Sequence, residues 1–523
     1  MKDGFRQSMA WLHTWVGLLP GWLLFVVFVS GTAAYFNEEI TLWMSPEFSA
    51  PAHYAEAADQ ATAYLGEVAP HADRWYIALP TERAPATYLF WQPGADGRRG
   101  DSAYLDGSGQ KVDARETRGG DFLYRLHFDL HYMPVIWARW IVGVAAMAML
   151  IAILSGVITH KKIFKDFFSL RFGKGQRSWL DGHNAMAVLA LPFHVMITYT
   201  GLVTLMYLYM PWGIAANYAD RDAFFDDLYP VTTRVDAAGV AAPLAPIAPM
   251  MEAAQAQWGD TAVSYMNIYH PGDANARVEM NADYTGLGKE RGAVVFDGVS
   301  GALLEALPPA GGAVQTQRTM ISLHAGRYAE PLLRWLYFGS GLFGSLMVAT
   351  GLILWTEKRR ARDARQGKSG FGLQLAGYLN IGTIVGFPVA LAGYFWANRL
   401  LPVGLEGRDE WEIHCLFITW AVMMLYPAFR PRGRAWMEGL FIAAGAYGLL
   451  PILNALTTGR HLGVSLMRGD WVMAGFDLTM LGLAALFLLA ALKTRAKLRI
   501  LPQPAPMRRE RAAALPGGAP EKT

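Results

Sequence analysis

Leu180–Gly201, LDGHNAMAVLALPFHVMITYTG, decides how the rest of the chain is read. It is a membrane-helix-like run carrying two histidines, His183 and His194, eleven residues apart. At about 100° per residue, that spacing is three turns plus roughly 20°, so a straight helix points both imidazoles the same way, roughly 16 Å apart along the axis. Two imidazoles kept inside a membrane are costly unless something binds them. The reading that follows is a helix that helps hold haem in a transmembrane electron path.

The bulk composition agrees with a membrane protein. Of 523 residues, 53% are hydrophobic and only 17% charged, against about 25% charged in soluble proteins. The 18 tryptophans suit interfacial aromatic belts. The single cysteine, Cys415, excludes an intramolecular disulfide, thiolate-ligated iron–sulfur clusters and Cys-x-x-Cys-His attachment of haem. Any haem is therefore non-covalent and held by His or Met. The first apolar run follows Lys2 and Arg6 without a small-residue cleavage site, so it is expected to stay as an anchor. There is no dinucleotide fingerprint and no P-loop, and no nucleic-acid partner is expected.

Apolar runs of spanning length predict eight transmembrane helices, at about 9–36, 133–159, 184–210, 331–355, 371–397, 411–428, 435–456 and 471–492. Basic clusters fall on one side of this scheme: Lys161, Lys162, Lys165, Arg171, Lys174 and Arg177; Lys358 to Lys368; Arg430, Arg432 and Arg434; and Lys493 to Arg499. The positive-inside rule makes that side cytoplasmic, with both termini. The chain then divides into a first span (1–36), an outer domain (37–126), a second span (127–160), a basic loop (161–180), a third span (181–210), a second outer domain (211–323), a fourth span (324–357), four further spans and a disordered tail (501–523). The fold class is a polytopic α-helical membrane protein with two small α+β domains on the outer, periplasmic side. Each outer loop opens with a helix-like segment (Tyr54 to Leu65; Met250 to Trp258). Strand-like runs follow (Trp75 to Leu79, Thr87 to Trp91; Val263 to Tyr269), then an Asp-Gly hairpin signal at Asp106-Gly107 and at Asp297-Gly298.

The first four spans read as a duplication. His13 precedes Gly31 of Ser30-Gly31 by eighteen residues, and His183 precedes Gly201 of Thr200-Gly201 by eighteen. Leu126-His127 lies seven residues before Pro134, as Leu323-His324 lies seven before Pro331. The second and fourth spans close with Ser155-Gly156 and Thr350-Gly351. The last four spans lack the pattern.

Seven of twelve histidines sit in or beside the duplicated spans. His13, His160 and His183 form a cytoplasmic group with His194 deeper; His127, His131 and His324 form an outer group. His131 and His160 share a face if their helix is continuous, a condition that Pro134 weakens. A b-type haem needs two imidazoles on facing helices at one depth. The grouping points to two b-type haems stacked across the bilayer, with the four ligands left open among the seven. Zinc ligation and proton relay are the alternatives. Glu412 with His414, and Asp477, are weaker polar candidates within apolar runs. His53, His71, His270 and His461 are expected in solvent.

Trp11-Leu12-His13-Thr14-Trp15-Val16-Gly17, Leu126-His127, Ser155 to Lys162, His183 with Leu191-Pro192-Phe193-His194, and Leu323-His324 together resemble the PepSY-associated transmembrane helix family over about residues 5–360. The resemblance implies an iron-regulated inner-membrane protein similar to di-haem reductases that release iron from ferric siderophores in the periplasm. The implied function is an oxidoreductase taking electrons from quinol or a cytoplasmic reductant to a periplasmic ferric siderophore or other ferric chelate. The rival readings are a non-enzymatic PepSY binding or sensing protein and a siderophore or metal transporter. Residues 371–500 depart from the four-span unit, and contact with a donor, a quinone or a partner subunit is the role weighed for them.

Overall fold

The computed structural model describes residues 4–48, 54–92, 100–160, 171, 173–228, 235–259, 261–282, 287, 292–307, 311–367 and 370–500. Most of the basic loop expected at 161–180, and the tail beyond 501, lie outside them. Among the described residues, six helices are long and apolar enough to cross a membrane: Val135–Thr159, Pro331–Arg365, Phe371–Leu400, Arg408–Phe429, Arg432–Thr457 and Trp471–Arg499. Two bent helix pairs raise the number to eight if each counts as one span. They are Phe5–Leu18 with Gly21–Ala34, bent by 62°, and Gln176–Leu189 with Leu191–Thr204, bent by 68°. The eight are called spans 1 to 8 below, in chain order.

The bends correct the straight-helix geometry of the sequence reading. A proline has no N–H and its ring clashes with the carbonyl four residues back. Pro192 enters the second half of span 3 just after Ala190, whose φ of −109° and ψ of 22° are not helical. Pro20 stands at the corresponding break in span 1. His183 and His194 therefore sit on different helical segments and do not share a face. Likewise, Pro134 caps span 2, so His131 precedes the helix, and His160 is its C-cap.

The two outer loops join in one antiparallel sheet of seven strands. The first loop supplies β1 (Arg74–Ala78), β2 (Thr87–Gln92) and β3 (Asp101–Leu105). The second supplies β4 (Val263–Tyr269), β5 (Arg277–Ala282), β6 (Val294–Asp297) and β7 (Leu303–Ala306). The order is β3-β2-β1-β4-β5-β6-β7. β1 and β4 pair with Ile77 opposite Met266, so each loop covers the edge strand that the other would leave open. Alternation places Trp75, Ile77, Leu89, Met266, Ile268, Val278 and Met280 on one face, buried under helices Tyr54–Val68 and Ile247–Gln257. In both hairpins an aspartate holds the turn. Asp106 accepts from the Ser108 N–H and Oγ–H, and Asp297 from the N–H groups of Val299 and Ser300. These donors keep both carboxylates below the usual range.

Spans 1 to 4 pack together, with short helices Gly119–Asp129 and Gly312–Ala325 lying on the sheet-side ends of spans 1 and 3. Spans 5 to 8 share one apolar core with them, running from Leu24, Phe25 and Met149 through Leu352 to Phe387, Tyr394 and Phe476.

Candidate functional site

Four histidines from four different helices come together as two pairs. His13 of span 1 and His183 of span 3 have ring centres 6.2 Å apart. His127 and His324, on the short sheet-side helices, have ring centres 5.9 Å apart. Each ring is tied to a backbone carbonyl of a facing span. His13 Nδ1 lies 2.8 Å from Ala152 O, His183 Nδ1 2.9 Å from Met347 O, His127 Nδ1 2.9 Å from Val27 O, and His324 Nδ1 3.0 Å from Ile197 O. A carbonyl only accepts, so each Nδ1 carries the proton and each Nε2 keeps its lone pair. This is the arrangement by which a second hydrogen bond orients a metal-binding imidazole.

The four tethers use one local motif. The accepting carbonyl belongs to residue i, a Ser or Thr stands at i+3, and a glycine at i+4: Val27/Ser30/Gly31, Ala152/Ser155/Gly156, Ile197/Thr200/Gly201 and Met347/Thr350/Gly351. In a helix the carbonyl of residue i already accepts from the N–H of i+4. With no side chain at i+4, an imidazole can approach the same oxygen from outside. A Cβ on Gly31 would lie 2.6 Å from His127 Nδ1, and one on Gly201 2.8 Å from His324 Cε1. On Gly156 and Gly351 it would lie 3.1 Å from Cε1 of His13 and His183. The Ser and Thr hydroxyls turn back onto their own helices, as Ser30 Oγ to Val26 O at 2.7 Å and Thr350 Oγ1 to Leu346 O at 2.7 Å. They therefore leave no hydroxyl donor unbonded beside the ring. The seats are reciprocal. Spans 1 and 3 seat the histidines that precede spans 2 and 4, and spans 2 and 4 seat those of spans 1 and 3.

The other three sequence candidates are placed elsewhere. His160 Nε2 takes a hydrogen bond from the Asn184 amide at 2.9 Å. His131 stacks on Phe417 of span 6, with ring centres 5.6 Å apart. His194 is fully buried, and neither ring nitrogen has a hydrogen-bond partner of ordinary geometry among the described residues, although the backbone of Ser340 and Ala187 lies near it. It packs on Phe28, and Gly344 leaves room for its Nε2. One helical turn separates His194 from Ile197, the anchor of the sheet-side pair. One turn also separates Gly344 from Met347, an anchor of the other pair. His194 thus lies between the pairs.

Among the remaining polar candidates, Glu412 and Asp477 are buried in hydrogen-bonded networks, and His414 is hydrogen-bonded to the Tyr132 hydroxyl. Of the four histidines expected in solvent, His71 is exposed, His270 is half-buried with Nε2 2.9 Å from Val235 O, His461 is half-buried, and His53 lies outside the described residues. Sequence reasoning missed the accepting carbonyls and His194's neighbours Phe28 and Gly344. The signal for the former was present, as the Ser/Thr-Gly dipeptide repeated once per span.

Comparison with known proteins places the chain in a family. An uncharacterized protein of Pseudomonas aeruginosa, PA4219, is 25% identical over 395 residues, which cover 70% of this chain and 93% of that protein. The family described as PepSY-associated TM region matches residues 10–358, which contain all four paired histidines and all four glycine seats. The chain belongs to that PepSY-associated membrane family.

Proposed function

We propose that the chain is a di-haem b-type oxidoreductase of a bacterial inner membrane, passing electrons across it to reduce ferric iron or a ferric siderophore in iron acquisition. The observation that carries this reading is the pair of imidazole pairs. A metal–nitrogen bond to imidazole is about 2 Å, and the ring centre lies about 1 Å behind the nitrogen, so two axial imidazoles on one iron have ring centres about 6 Å apart. The two separations are 6.2 and 5.9 Å. Among the described residues, no group of three or more His, Cys, Asp or Glu could hold a metal ion. Two lone imidazoles suit a metal that brings its own equatorial ligands better than they suit zinc, which takes three or four protein ligands. Haem held by His13 with His183, and by His127 with His324, supplies reversible one-electron chemistry at two depths. The chain's part is to fix each imidazole's tautomer and orientation, and to surround the pairs with apolar side chains that exclude water.

The same geometry supports a duplicated origin, with His13 equivalent to His183, His127 to His324, and the glycine seats to one another. The basic clusters favour cytoplasmic termini and a periplasmic sheet. The face of the sheet opposite helices Tyr54–Val68 and Ile247–Gln257 carries a ladder of rings, Tyr265, Tyr76, Tyr88 and Tyr104, with adjacent centres 5.0 to 6.3 Å apart. It offers an aromatic surface for a chelate. Ferric iron is held by hard oxygen donors and ferrous iron less tightly, so one electron frees it.

Purified protein is expected to be red, with a Soret band that shifts on adding dithionite and returns when a ferric siderophore reoxidises the sample. Colourless protein from haem-supplied cells would end the oxidoreductase reading. A second expectation concerns the seats. Gly31→Ala drives a methyl group into the His127 ring, and haem affinity at that pair falls by about 10- to 100-fold, as for loss of other groups that orient a metal ligand. The haem-to-protein ratio after dialysis, compared with Gly17→Ala where a Cβ meets nothing within 4 Å, checks this.

A further inference from the structure

We infer that His131, Tyr132, His414 and Phe417 form a binding site for a membrane quinol, open to the bilayer and beside the sheet-side imidazole pair. The inference rests on the redox reading above and gives it a second point of electron entry, at the sheet-side pair, besides transfer through the pair of His13 and His183.

The segment Leu130-His131-Tyr132 links the helix bearing His127 to span 2, and its backbone is strained. Leu130 and Tyr132 hold φ of 51° and 58°, a region that non-glycine residues rarely adopt. His131 and Tyr132 face span 6. There the Tyr132 hydroxyl is hydrogen-bonded to His414 Nδ1. His131 stacks on Phe417 with planes 17° apart, Tyr132 stacks on His414 with planes 23° apart, and Trp411 meets His414 edge-on at 5.3 Å. Neither ring nitrogen of His131 has a hydrogen-bond partner among the described residues. An imidazole with a ring nitrogen left free in this way can take a proton.

The surroundings select the ligand. Tyr132 is 61% exposed, and Met133, Val135, Ile136 and Trp137 beside it, with Ile418 and Val422 on span 6, are exposed apolar side chains. In a membrane these meet hydrocarbon, so the cluster is reached from within the bilayer. At its other margin Glu410 and Asp409 pair with Arg118, a wet, charged exit for protons. A flat aromatic redox molecule dissolved in lipid, carrying two hydroxyls, fits rings for stacking, imidazoles for its protons and a phenol for its oxygen. His131 lies four residues after His127, in the segment that continues from the helix bearing that imidazole. The balanced reaction is one quinol with two ferric ions giving one quinone, two ferrous ions and two protons. The protons pass to His131 and His414 and then to water beside Glu410.

The test uses the full chain in lipid nanodiscs, with a short-chain ubiquinone and a short-chain menaquinone as probes. Binding is read by quenching of tryptophan fluorescence, and function by ferric-chelate reduction with the matching quinol. Saturable binding of either quinone is expected, weakened roughly tenfold by His414→Ala and less by Tyr132→Phe, which keeps the ring and loses the donor. Haem content and dithionite reduction should be unchanged in both variants. A red, dithionite-reducible chain that binds no quinone overturns this inference and leaves the redox reading intact. A colourless chain that binds quinone at these residues supports the site and removes the redox reading. Lowered thermal stability in His414→Ala with unaltered quinone affinity, or displacement of the probe by phospholipid alone, overturns it in favour of a packing or lipid contact.

Discussion

His127→Ala should leave the protein folded with about half its haem and with ferric reduction down at least about 100-fold. Haem at the sheet-side pair would be held by His127 and His324, one imidazole from each of two helices. Removing one leaves His324 alone at the sheet-side pair, while His13 and His183 keep their carbonyls at 2.8 and 2.9 Å. The loss is therefore local. His324→Ala should match it, and His13→Ala or His183→Ala should remove the other half of the haem. Replacing His131 or His160 by Ala, or His194 by Leu, should preserve full haem content, because those rings are committed to Phe417 and Asn184 or are buried between the pairs. A haemochrome assay across the seven variants separates these outcomes. Full haem in His127→Ala, or half haem in His194→Leu, would show that the ligand set is drawn wrongly.

The histidine groups and the Ser/Thr-Gly dipeptides are visible in the sequence because they recur at fixed spacings. Their use is not, because it depends on contacts between residues far apart in the chain. Nothing near Gly31 says that its missing side chain makes room for His127, almost a hundred positions later. Nor does local spacing say that the pairs form between the two halves rather than within each. The eleven-residue spacing of His183 and His194 suggested a shared face, and Pro192 undid it by breaking the helix. The strands that alternate cleanly, such as Trp75 to Ala78, were readable. β5, with Arg277, Glu279 and Asn281 alternating with Val278, Met280 and Ala282, was overlooked. The joining of β1 to β4 has no local signal at all, since an edge strand looks the same whichever partner covers it.

Glu412→Ala should cost about 3–5 kcal/mol of stability, because it leaves a buried guanidinium without its counter-charge. Arg408 and Glu412 are both fully buried and paired one turn apart at the sheet-side end of span 6. The pair is part of a network that ties spans 5 to 8 to the rest of the chain. Arg408 donates to Glu116 O at 2.8 Å, and Asn398 donates to Glu412 at 2.7 Å. Arg399 reaches the Asn398 side chain, the Asn454 side chain and Trp43 O. Asp477, the charge that looked isolated in span 8, accepts from Trp43 Nε1 at 3.0 Å and Asn454 Nδ2 at 3.1 Å. Trp43 follows span 1, and Glu116 precedes the helix bearing His127, so the network fixes the last four spans onto the segments that hold the sheet-side pair. A buried network of this kind adds less net stability than an apolar one of equal volume. Its value is positional, and removing one member exposes the full penalty on the others. The midpoint of thermal unfolding in detergent should fall sharply for Glu412→Ala. It should change little for Glu410→Ala, whose partner Arg118 is half exposed and whose pairing is worth about 0–1 kcal/mol. Folded Glu412→Ala protein should retain its Soret spectrum, since no paired histidine touches Glu412. Equal midpoints for the two variants would show that the network does not carry the attachment of spans 5 to 8. A lost spectrum in folded Glu412→Ala protein would mean instead that the network reaches into the imidazole pairs themselves.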